Sequence, residues 1–394
     1  MKEIRNDILI IGGGLTGLMT AYTFSKLGLN ICILDKFDFL DQSNNKTDLR
    51  TTAIAEGSKE FFEKINIWTK LSKDAQLIKQ IKVINRTEES VLKFTNKKIN
   101  NNLGYIIRNS LIKKNLIQLI KNKKNILIFN NVLVNKIKKE DDFIYCETKK
   151  IKFIAKLLIA ADGKNSFVRE NLKIKKINKE YNHKAIVVNF NHSKDHENTA
   201  HEIFYKTGPL AILPMKKFKK NIYTSSIIWS NKHTYVNSLK DIKKELLILI
   251  LEEQIKKYTG RIDSILDIQT FGLSAHINEK FYDNRVVFLG DSAHSIHPIA
   301  GQGWNIGVRD IENMFSILKK NLDLGLDIGS INVCRDYHDL SYHDAFSLFQ
   351  ITDKLNSIFM NDSLAFKVIK NQGFKFINNN SFIKNYLTNF AMGF

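Results

Sequence analysis

The sequence predicts an α/β fold in which a domain with a parallel sheet is interrupted by an antiparallel sheet and followed by helices. Three observations support this fold class. A glycine-rich turn near the N-terminus lies between two short apolar runs, as in a βαβ unit. Central segments such as HKAIVVNFNH alternate polar and apolar residues, which is typical of antiparallel strands. From about residue 335 onward, the sequence is typical of helices.

The N-terminal unit starts with the apolar run DILII, passes through GGGLTG into a helical segment, and reaches a second run, NICILD. Its glycines stand in GxGxxG register. In a Rossmann-like unit, Gly12 makes the tight turn, Gly14 lets backbone N–H groups approach a pyrophosphate, and Gly17 lets the helix pack on the strand. Asp35 ends the second run, where an acidic side chain binds ribose hydroxyls. The motif predicts a nucleotide cofactor, but it does not distinguish FAD from NAD.

The composition is that of a globular protein with an excess of lysine. Of the 394 residues, 43% are hydrophobic, and the formal net charge is +20. The longest aliphatic run, Leu246 to Leu251, is far shorter than the roughly 20 residues of a membrane-spanning helix. We therefore expect a cytoplasmic location and leave open a peripheral attachment to the inner face of the membrane. The charge has two interpretations, namely the base composition of an AT-rich genome and attraction to an anionic membrane surface.

Other kinds of site are not indicated by the sequence. The three cysteines include no CxxC pair, so neither a disulfide framework nor a zinc site is expected. His294 and His297 are three residues apart, but no third ligand stands near them, and we expect no metal. No zinc-finger or RNP motif accompanies the positive charge, so we expect no nucleic-acid partner.

Two later segments carry short motifs directly after apolar runs. In AKLLIAADGKNSFVRE the run leads to Asp162-Gly163, and in NRVVFLGDSAHSIHPIAGQGWNIGVRD it leads to Gly290-Asp291. These segments resemble the DG and GD motifs of the flavoprotein aromatic hydroxylases, the group that includes p-hydroxybenzoate hydroxylase. The strings at 297–310 and 192–215 are similar, more closely still, to the ubiquinone-biosynthesis hydroxylases. This resemblance spans essentially the whole chain.

The resemblance implies an FAD-dependent aromatic-ring monooxygenase. In that group NAD(P)H or another donor reduces FAD, and O2 adds to give a flavin C4a-hydroperoxide. Its distal oxygen would attack the aromatic ring of a polyprenylated phenol, an intermediate of ubiquinone biosynthesis. The implied partners are this prenylated phenol, other ubiquinone-synthesis proteins and an anionic membrane surface. Two alternatives stay open: a flavin hydroxylase of a soluble aromatic acid, and a non-catalytic FAD-binding member of a ubiquinone-synthesis assembly.

The resemblance also assigns site residues. Asp291 would bind the ribityl chain of FAD, and the glycines of GQG would let the backbone pass along the flavin ring. A helix that begins near Trp304 would point its positive end at the flavin. The turn expected beside the reacting ring consists of Pro298, Gly301, Gln302 and Gly303. The expected cofactor-binding residues are Gly12, Gly14, Leu15, Thr16, Gly17, Asp35, Lys36, Arg50, Arg108, Asp162, Gly290, Asp291, Gly301, Gly303 and Asn305. The expected substrate pocket contains Phe204, Pro209, Leu210, Leu213, Pro214 and His297.

These motifs divide the chain into interleaved regions. We expect a discontinuous FAD-binding domain of residues 1–70, 100–175 and 272–330. A substrate-binding β-sheet domain would comprise residues 71–99 and 176–271, and a C-terminal helical region residues 331–394. The amphipathic stretch near the C-terminus fits membrane attachment and core packing equally well.

Overall fold

The computed structural model describes residues 2–41, 48–86, 90–95, 102–219, 222–361 and 363–393. In chain order, the strands in these ranges are β1 (Lys2–Ile11), β2 (Ile31–Leu34), β3 (Thr51–Ala55), β4 (Gln76–Ile78), β5 (Gln80–Asn85), β6 (Ser90–Thr95), β7 (Gly104–Arg108), β8 (Ile126–Phe129), β9 (Lys136–Lys139), β10 (Ile144–Glu147), β11 (Ile151–Ala160), β12 (Lys176–His192), β13 (Thr199–Tyr205), β14 (Gly208–Lys219), β15 (Ile222–Lys232), β16 (Ile262–Asn278), β17 (Tyr282–Asp283), β18 (Val286–Phe288) and β19 (His294–Ser295). The α-helices are α1 (Leu15–Ser25), α2 (Glu56–Lys64), α3 (Trp68–Leu71), α4 (Asn109–Lys121), α5 (Phe167–Asn171), α6 (His233–Asp241), α7 (Lys244–Thr259), α8 (Gly303–Asp323), α9 (Ile331–Met360), α10 (Leu364–Asn379) and α11 (Ser381–Ala391).

The first sheet is the predicted nucleotide-binding sheet. Its strands lie in the order β17-β18-β11-β1-β2-β8, and β10 and β9 continue from β11 on a side branch. β1 pairs in parallel with β2 and β11, β2 with β8, and β11 with β18. Every residue of β2 is buried, as a parallel strand covered on both faces requires. The predicted βαβ opening is confirmed, because α1 connects β1 to β2 and packs against β2.

The second sheet is the predicted antiparallel sheet. Its order is β19-β16-β12-β15-β14-β13-β5-β6, and its neighbouring strands are antiparallel except for the parallel pair β13 and β5. Helices α6 and α7 cover one face and bury a core that includes Ile186, Trp229 and Leu247. The opposite face of β14 contacts a small third sheet of order β3-β7-β4. This contact brings the second sheet close to the GQG turn, because Ala53 of β3 lies next to Gly301.

The C-terminal region is helical, as predicted. Helix α9 packs along α8, and the Tyr337 hydroxyl of α9 donates a 2.8 Å hydrogen bond to the carbonyl of Phe288 in β18. After α11, the carbonyl of Met392 accepts a 2.9 Å hydrogen bond from the backbone N–H of Gly57 in α2. The end of the described chain therefore returns to the region beside β3. The predicted α/β fold class, with an interleaved antiparallel sheet and C-terminal helices, is confirmed.

The strands show where the predicted regions meet. The first residue of β12 is Lys176, which is also the first residue of the second predicted substrate segment. The predicted boundary between residues 271 and 272 falls inside β16, so one continuous strand belongs to both regions. β4 lies inside the predicted segment 71–99 but pairs with β7 in the small sheet. Residues 96–99 of that segment lie outside the described residues.

Candidate functional site

The first turn of the site is built by the glycines after β1. Gly12 has φ +117°, and a Cβ added there would lie 2.2 Å from the carbonyl oxygen of Ala161. A Cβ on Gly17 would lie 1.8 Å from the carbonyl oxygen of Gly12, so α1 approaches the turn as closely as the motif predicts. A Cβ on Gly14 would meet no described atom within 4 Å. The space beside Gly14 is therefore open, whereas the close contacts at Gly12 and Gly17 require glycine at these two positions.

Asp35 lies at the end of β2, where the sequence places it. Its Oδ2 accepts a 2.5 Å hydrogen bond from the backbone N–H of Gly13, and its Oδ1 accepts one of 2.8 Å from the N–H of Phe37. Each carboxylate oxygen can accept a second hydrogen bond. The side chain thus fixes the turn and keeps acceptor capacity for a ribose hydroxyl. The next residue, Lys36, is exposed.

The DG motif follows β11. The Oδ2 of Asp162 accepts a 3.1 Å hydrogen bond from the backbone N–H of Val168, which fixes the start of α5. Its Oδ1 is buried and has no hydrogen-bond partner among the described residues. Burial raises the pKa of this carboxyl, because the charged form loses hydration. A buried acceptor of this kind calls for a donor from a bound molecule or water.

Arg169 connects the DG loop to the GD turn, a role that we did not predict. This guanidinium is buried, and its Nη2 donates a 2.6 Å hydrogen bond to the carbonyl of Lys164. Its Nη1 donates to the carbonyl of Ser292 at 3.3 Å and lies 3.2 Å from Nε2 of His276. The two loops are therefore held together by one side chain. The only sequence signal for it is its position in the string that follows the DG motif.

The GD turn lies against the first turn of α1. Gly290 has φ +59°, and an added Cβ would lie 2.9 Å from Oγ1 of Thr16. Asp291 is exposed, and its carboxylate interacts electrostatically with Arg50 and Lys164. The pKa of Asp291 is raised because the surrounding protein desolvates the carboxylate, although His294, Arg50 and Lys164 oppose the shift. Asp291 therefore presents an acceptor to open space next to the α1 turn, where a ribityl hydroxyl is predicted.

Arg50 stands beside this turn and is held by its neighbours. Its Nε donates a 2.8 Å hydrogen bond to Oδ1 of Asp48, and its guanidinium lies 5.1 Å from the centre of the Phe271 ring. The Arg50 side chain still has a relative exposure of 51%, so it is accessible to a ligand. Asp48 thus orients the Arg50 guanidinium.

A buried pair fixes the GD turn to α8. Oδ2 of Asp310 accepts a 2.9 Å hydrogen bond from the backbone N–H of Gly290 and lies 2.7 Å from Nε2 of His294. Burial opposes protonation of His294, but the carboxylates of Asp310, Asp291 and Asp344 together outweigh it and raise the pKa of the imidazole. The sequence analysis did not assign Asp310 a role. Its place as the last residue of the string that starts at His297 is the signal that could have identified it.

The GQG turn leads directly into α8. Pro298 is exposed, and Gly301 has φ +62°, with an added Cβ only 3.2 Å from Cβ of Ala53 in β3. Gln302 is buried. Gly303 is the first residue of the 21-residue helix, one position before the predicted start near Trp304. An added Cβ on Gly303 would have Cγ1 of Ile296, at 4.0 Å, as its nearest described neighbour, so the space beside this glycine is open.

The side chain of Asn305, a predicted cofactor-binding residue, makes four hydrogen bonds within the protein. Its Oδ1 accepts 2.9 Å hydrogen bonds from the backbone N–H of Ala55 and from Oγ of Ser58. Its Nδ2 donates to the carbonyl of Ala53 at 2.9 Å and to that of Gly301 at 3.3 Å. The side chain is fully buried. It therefore fixes the GQG turn to β3 and α2, and any contact with a cofactor would have to come from its backbone.

Arg108 also has a structural partner. Its Nη1 lies 3.9 Å from Oδ2 of Asp267 in β16, which makes an ion pair between β7 and the antiparallel sheet, and the cofactor contact of Arg108 stays a prediction. Arg108 and Met215 line the same small cavity. The sequence could not reveal this pairing, because Asp267 is distant in the chain.

The predicted substrate wall lies on one face of β14 only. Leu213 packs with Ile106 and Met215 in a small apolar cluster that also contacts Ala53. Leu210 is fully buried in the core on the α7 side of the sheet. Because side chains of a strand alternate between its two faces, Pro214 lies on the same face as Leu210. Leu210 and Pro214 therefore lie on the opposite face of β14 from Leu213, and their role in the substrate pocket stays a prediction.

The other predicted pocket residues lie near the C-terminal helices or the GQG turn. Phe204 pairs in register with Pro209, and its ring stacks on Phe359 of α9 at a centroid distance of 3.6 Å. His297 is fully buried, and neither ring nitrogen has a hydrogen-bond partner among the described residues. Its ring lies edge-on to Tyr181 at 4.8 Å. Burial lowers the pKa of His297 to about 4, so the imidazole is neutral near pH 7.

The arrangement of these residues is suited to binding FAD. The N-termini of α1 and α8 have no side-chain cap and no acidic residue in the first turn, so their positive ends can stabilise anions. Gly14 and Gly303 leave open space at these two ends, and Gly290, the neighbour of Asp291, lies against Thr16 in the first turn of α1. A long cofactor with a pyrophosphate, a polyol chain and a ring system that accepts negative charge suits this arrangement. Fold and site together define a flavin-dependent oxidoreductase.

Comparison with known proteins identifies the family. The FAD binding domain family matches residues 5–323 of the chain. The ubiquinone hydroxylase UbiL of Rhodospirillum rubrum is 26% identical over 388 residues, which cover 98% of this chain and 89% of that protein. The ubiquinone hydroxylase UbiM of Neisseria meningitidis is 25% identical over 376 residues, covering 93% and 80%. The crystal structure of p-nitrophenol 4-monooxygenase PnpA from Pseudomonas putida is similar with a TM-score of 0.80 at 16% identity, covering 100% of this chain and 98% of that one.

The chain belongs to the FAD binding domain family. Its predicted resemblance to the ubiquinone-biosynthesis flavin hydroxylases, and the enzyme class of FAD-dependent monooxygenase, are confirmed by these comparisons. Among the described helices, none combines the length and the apolar character needed to cross a membrane.

Proposed function

We propose that this FAD-dependent monooxygenase hydroxylates the aromatic ring of a polyprenylated phenol, an intermediate of ubiquinone biosynthesis. The observation that carries the proposal is the junction between the GQG turn and the antiparallel sheet. Gly301 lies against Ala53, and Ala53 contacts the apolar cluster that contains Leu213 and Met215. A ring bound against this cluster would lie next to the turn that holds the flavin. Two relatives named ubiquinone hydroxylases support the choice of substrate.

When bound, FAD would supply the redox chemistry: a reduced donor such as NAD(P)H provides two electrons, one oxygen atom of O2 enters the ring and the other leaves as water. The residues of the chain would bind and orient FAD. The N-terminal end of α1 would hold the pyrophosphate, and Asp291 would accept a hydrogen bond from the ribityl chain. The N-terminal end of α8 would stabilise negative charge on the reduced ring system, because the free N–H groups of its first turn point toward the GQG turn.

The apolar cluster would orient the substrate ring and exclude water from it. Leu213 and Met215 offer only aliphatic and thioether contacts, which suit an aromatic ring with an attached prenyl chain. The stacked pair of Phe204 and Phe359 extends this apolar surface toward the C-terminal helices. Since Arg108 is paired with Asp267, the arginine at this cavity does not favour a soluble aromatic acid.

A complementation experiment tests the proposal. The chain is expressed in bacterial strains that each lack one ring hydroxylase of ubiquinone synthesis, and the accumulated quinone intermediates are identified by mass spectrometry. We expect at least one strain to regain ubiquinone, which also identifies the ring carbon. The matched control is Asp291→Ala, which should express at a similar level and fail to restore the product. If the flavin-loaded protein accumulates in every strain and none regains ubiquinone, the proposed substrate is wrong.

A further inference from the structure

The outward faces of α10 and α11 carry large apolar side chains. Relative exposure is 53% for Val368, 59% for Phe376, 80% for Phe382 and 63% for Tyr386. Phe382 and Tyr386 are four residues apart, so they lie on one face of α11. Most large aromatic side chains of a folded protein are covered, and a group of exposed ones marks a contact surface. We call this surface, formed by Val368, Phe376, Phe382 and Tyr386, the aromatic face.

The charge of the same segment indicates what the aromatic face contacts. Residues 363–393 contain four lysines and no Asp or Glu; one of the four, Lys370, is buried and donates a hydrogen bond to the carbonyl of Asn361. Lys375 is exposed next to Phe376, and Lys384 is half-buried between Phe382 and Tyr386 in sequence. Exposed aromatic residues and lysines without any carboxylate match an anionic lipid surface, where rings enter the headgroup region and ammonium groups meet lipid phosphates.

The inward faces of these helices lead to the proposed substrate site. The Phe374 ring of α10 is buried and lies 6.1 Å from the Phe359 ring, which stacks on Phe204. Met392, just after α11, packs in the same apolar cluster as Met215. One thin helical layer therefore separates the aromatic face from the apolar wall of the site.

We propose that α10 and α11 form a membrane-docking element that rests on an anionic lipid surface through the aromatic face. Docked in this way, the protein would receive a phenol ring while the attached prenyl chain remains in lipid. Only this last point rests on the proposed function, because binding to vesicles requires no turnover.

The test is co-sedimentation of the full-length, FAD-loaded protein with vesicles of phosphatidylcholine alone or mixed with phosphatidylglycerol, at low and high salt. We expect binding to the mixed vesicles that weakens with salt. The triple variant Phe376→Ser, Phe382→Ser, Tyr386→Ser should bind at least about tenfold less tightly, since partitioning scales with buried apolar area. The matched control is Leu249→Ser, since Leu249 is 63% exposed but lies on α7, on the other side of the antiparallel sheet.

A second measurement locates the contact. Phe382→Trp should show a blue-shifted emission with mixed vesicles and quenching by lipid-borne quenchers, whereas Leu249→Trp should show neither. Equal vesicle binding by the wild type and the triple variant would overturn the proposal. So would salt-independent binding that is equal on both vesicle types. If the wild type does not bind vesicles but forms a dimer that the triple variant cannot form, a second copy of the chain covers the aromatic face and the proposal is wrong.

The two proposals fail separately. The triple variant keeps the GQG and GD turns, so its flavin absorbance and its turnover of a short-chain, water-soluble phenol should equal those of the wild type. Complementation by a wild type that does not bind vesicles would overturn only the docking element. Vesicle binding without complementation in any strain would overturn only the substrate.

Discussion

At the scale of single residues, the GQG turn contains two glycines with different physical requirements. Gly301 has φ +62° and lies against Ala53, so the protein itself requires a glycine there. Gly303 has neither a positive φ nor a close neighbour among the described residues. The described residues therefore do not themselves require a glycine at this position, which makes Gly303 the better probe of cofactor binding.

Substitution of these two glycines by alanine should have opposite effects on the apoprotein. Gly303→Ala should keep or slightly raise the free energy of unfolding, by up to about 1 kcal/mol, because alanine is the better helix former. Its FAD affinity should fall, and the visible spectrum of bound flavin should change. Gly301→Ala should lower the free energy of unfolding by about 1–2 kcal/mol, because alanine is strained at positive φ.

Urea unfolding of the apoproteins and FAD titration of both variants measure these effects. If Gly303→Ala binds FAD with wild-type affinity and an unchanged spectrum, the turn does not contact the cofactor. If Gly301→Ala is as stable as the wild type, the turn relaxes without cost and the argument from φ fails.

At the scale of elements, the pair of His294 and Asp310 joins the GD turn to α8. Because the pKa of His294 is raised in the folded protein, its protonated form stabilises the fold below the unfolded pKa of about 6.5. That contribution is lost as the pH rises through the folded pKa. The buried His276 and His297 have lowered pKa values and act in the opposite sense, since they destabilise the fold as the pH falls below about 6.5.

The contribution of this pair can be isolated by difference. The unfolding temperature of the wild type should exceed that of His294→Gln by the largest margin at or below about pH 6, and the margin should shrink toward alkaline pH. The other buried histidines are common to both proteins and cancel. Asp310→Asn retains a hydrogen-bonding side chain but removes the charge. In that background, the further substitution His294→Gln should lower the unfolding temperature at low pH by less than it does in the wild type. A margin that does not change with pH would show that the ion pair contributes nothing.

Strand β14 offers a second test at this scale. One of its faces packs in the core on the α7 side, and the other faces the proposed substrate site. Leu210→Ala should lower the free energy of unfolding by about 2–5 kcal/mol, since it leaves a cavity in a closed core. It should leave the KM for the phenol nearly unchanged. Leu213→Ala should cost less stability, because this side chain is only half-buried, and should raise the KM by about tenfold through lost apolar contact with the ring.

Denaturant unfolding and steady-state kinetics of these two variants give the comparison. A larger KM effect for Leu210→Ala than for Leu213→Ala would mean that the substrate binds on the α7 side of the sheet. The proposed wall would then be wrong.

At the scale of the whole molecule, the sequence predicts what depends on local backbone geometry. The βαβ opening, the antiparallel sheet and the C-terminal helices follow from periodicity, and the positions of Gly12 and Gly17 follow from the motif. The sequence does not predict which face of β14 meets the flavin turn, because that depends on the orientation of the whole sheet. The sequence also does not reveal that Asp267 pairs with Arg108, or that the Asn305 side chain forms its four hydrogen bonds with other residues of the protein.

Bound FAD should stabilise the folded state, because its proposed contacts come from three distant parts of the chain: residues 12–17, Arg50 and residues 290–303. A ligand that binds only the folded state adds about 2.7 kcal/mol of stability at a free concentration of 100 times its Kd. We therefore expect the unfolding temperature of the apoprotein to rise steadily with the logarithm of the FAD concentration. Asp291→Ala should need about ten- to a hundredfold more FAD for the same rise, the equivalent of a lost charge-assisted hydrogen bond of about 1.5–3 kcal/mol.

Scanning calorimetry across a range of FAD concentrations measures this shift, and acid precipitation shows whether the yellow cofactor is released intact. The apoprotein of Asp291→Ala should unfold no earlier than the wild-type apoprotein, because the substitution removes a carboxylate whose pKa is raised by desolvation. The difference between the two proteins should therefore appear only when FAD is present. Identical FAD dependence in both would mean that Asp291 does not contact the ribityl chain, and an unfolding temperature insensitive to FAD would mean that the three segments do not share one cofactor.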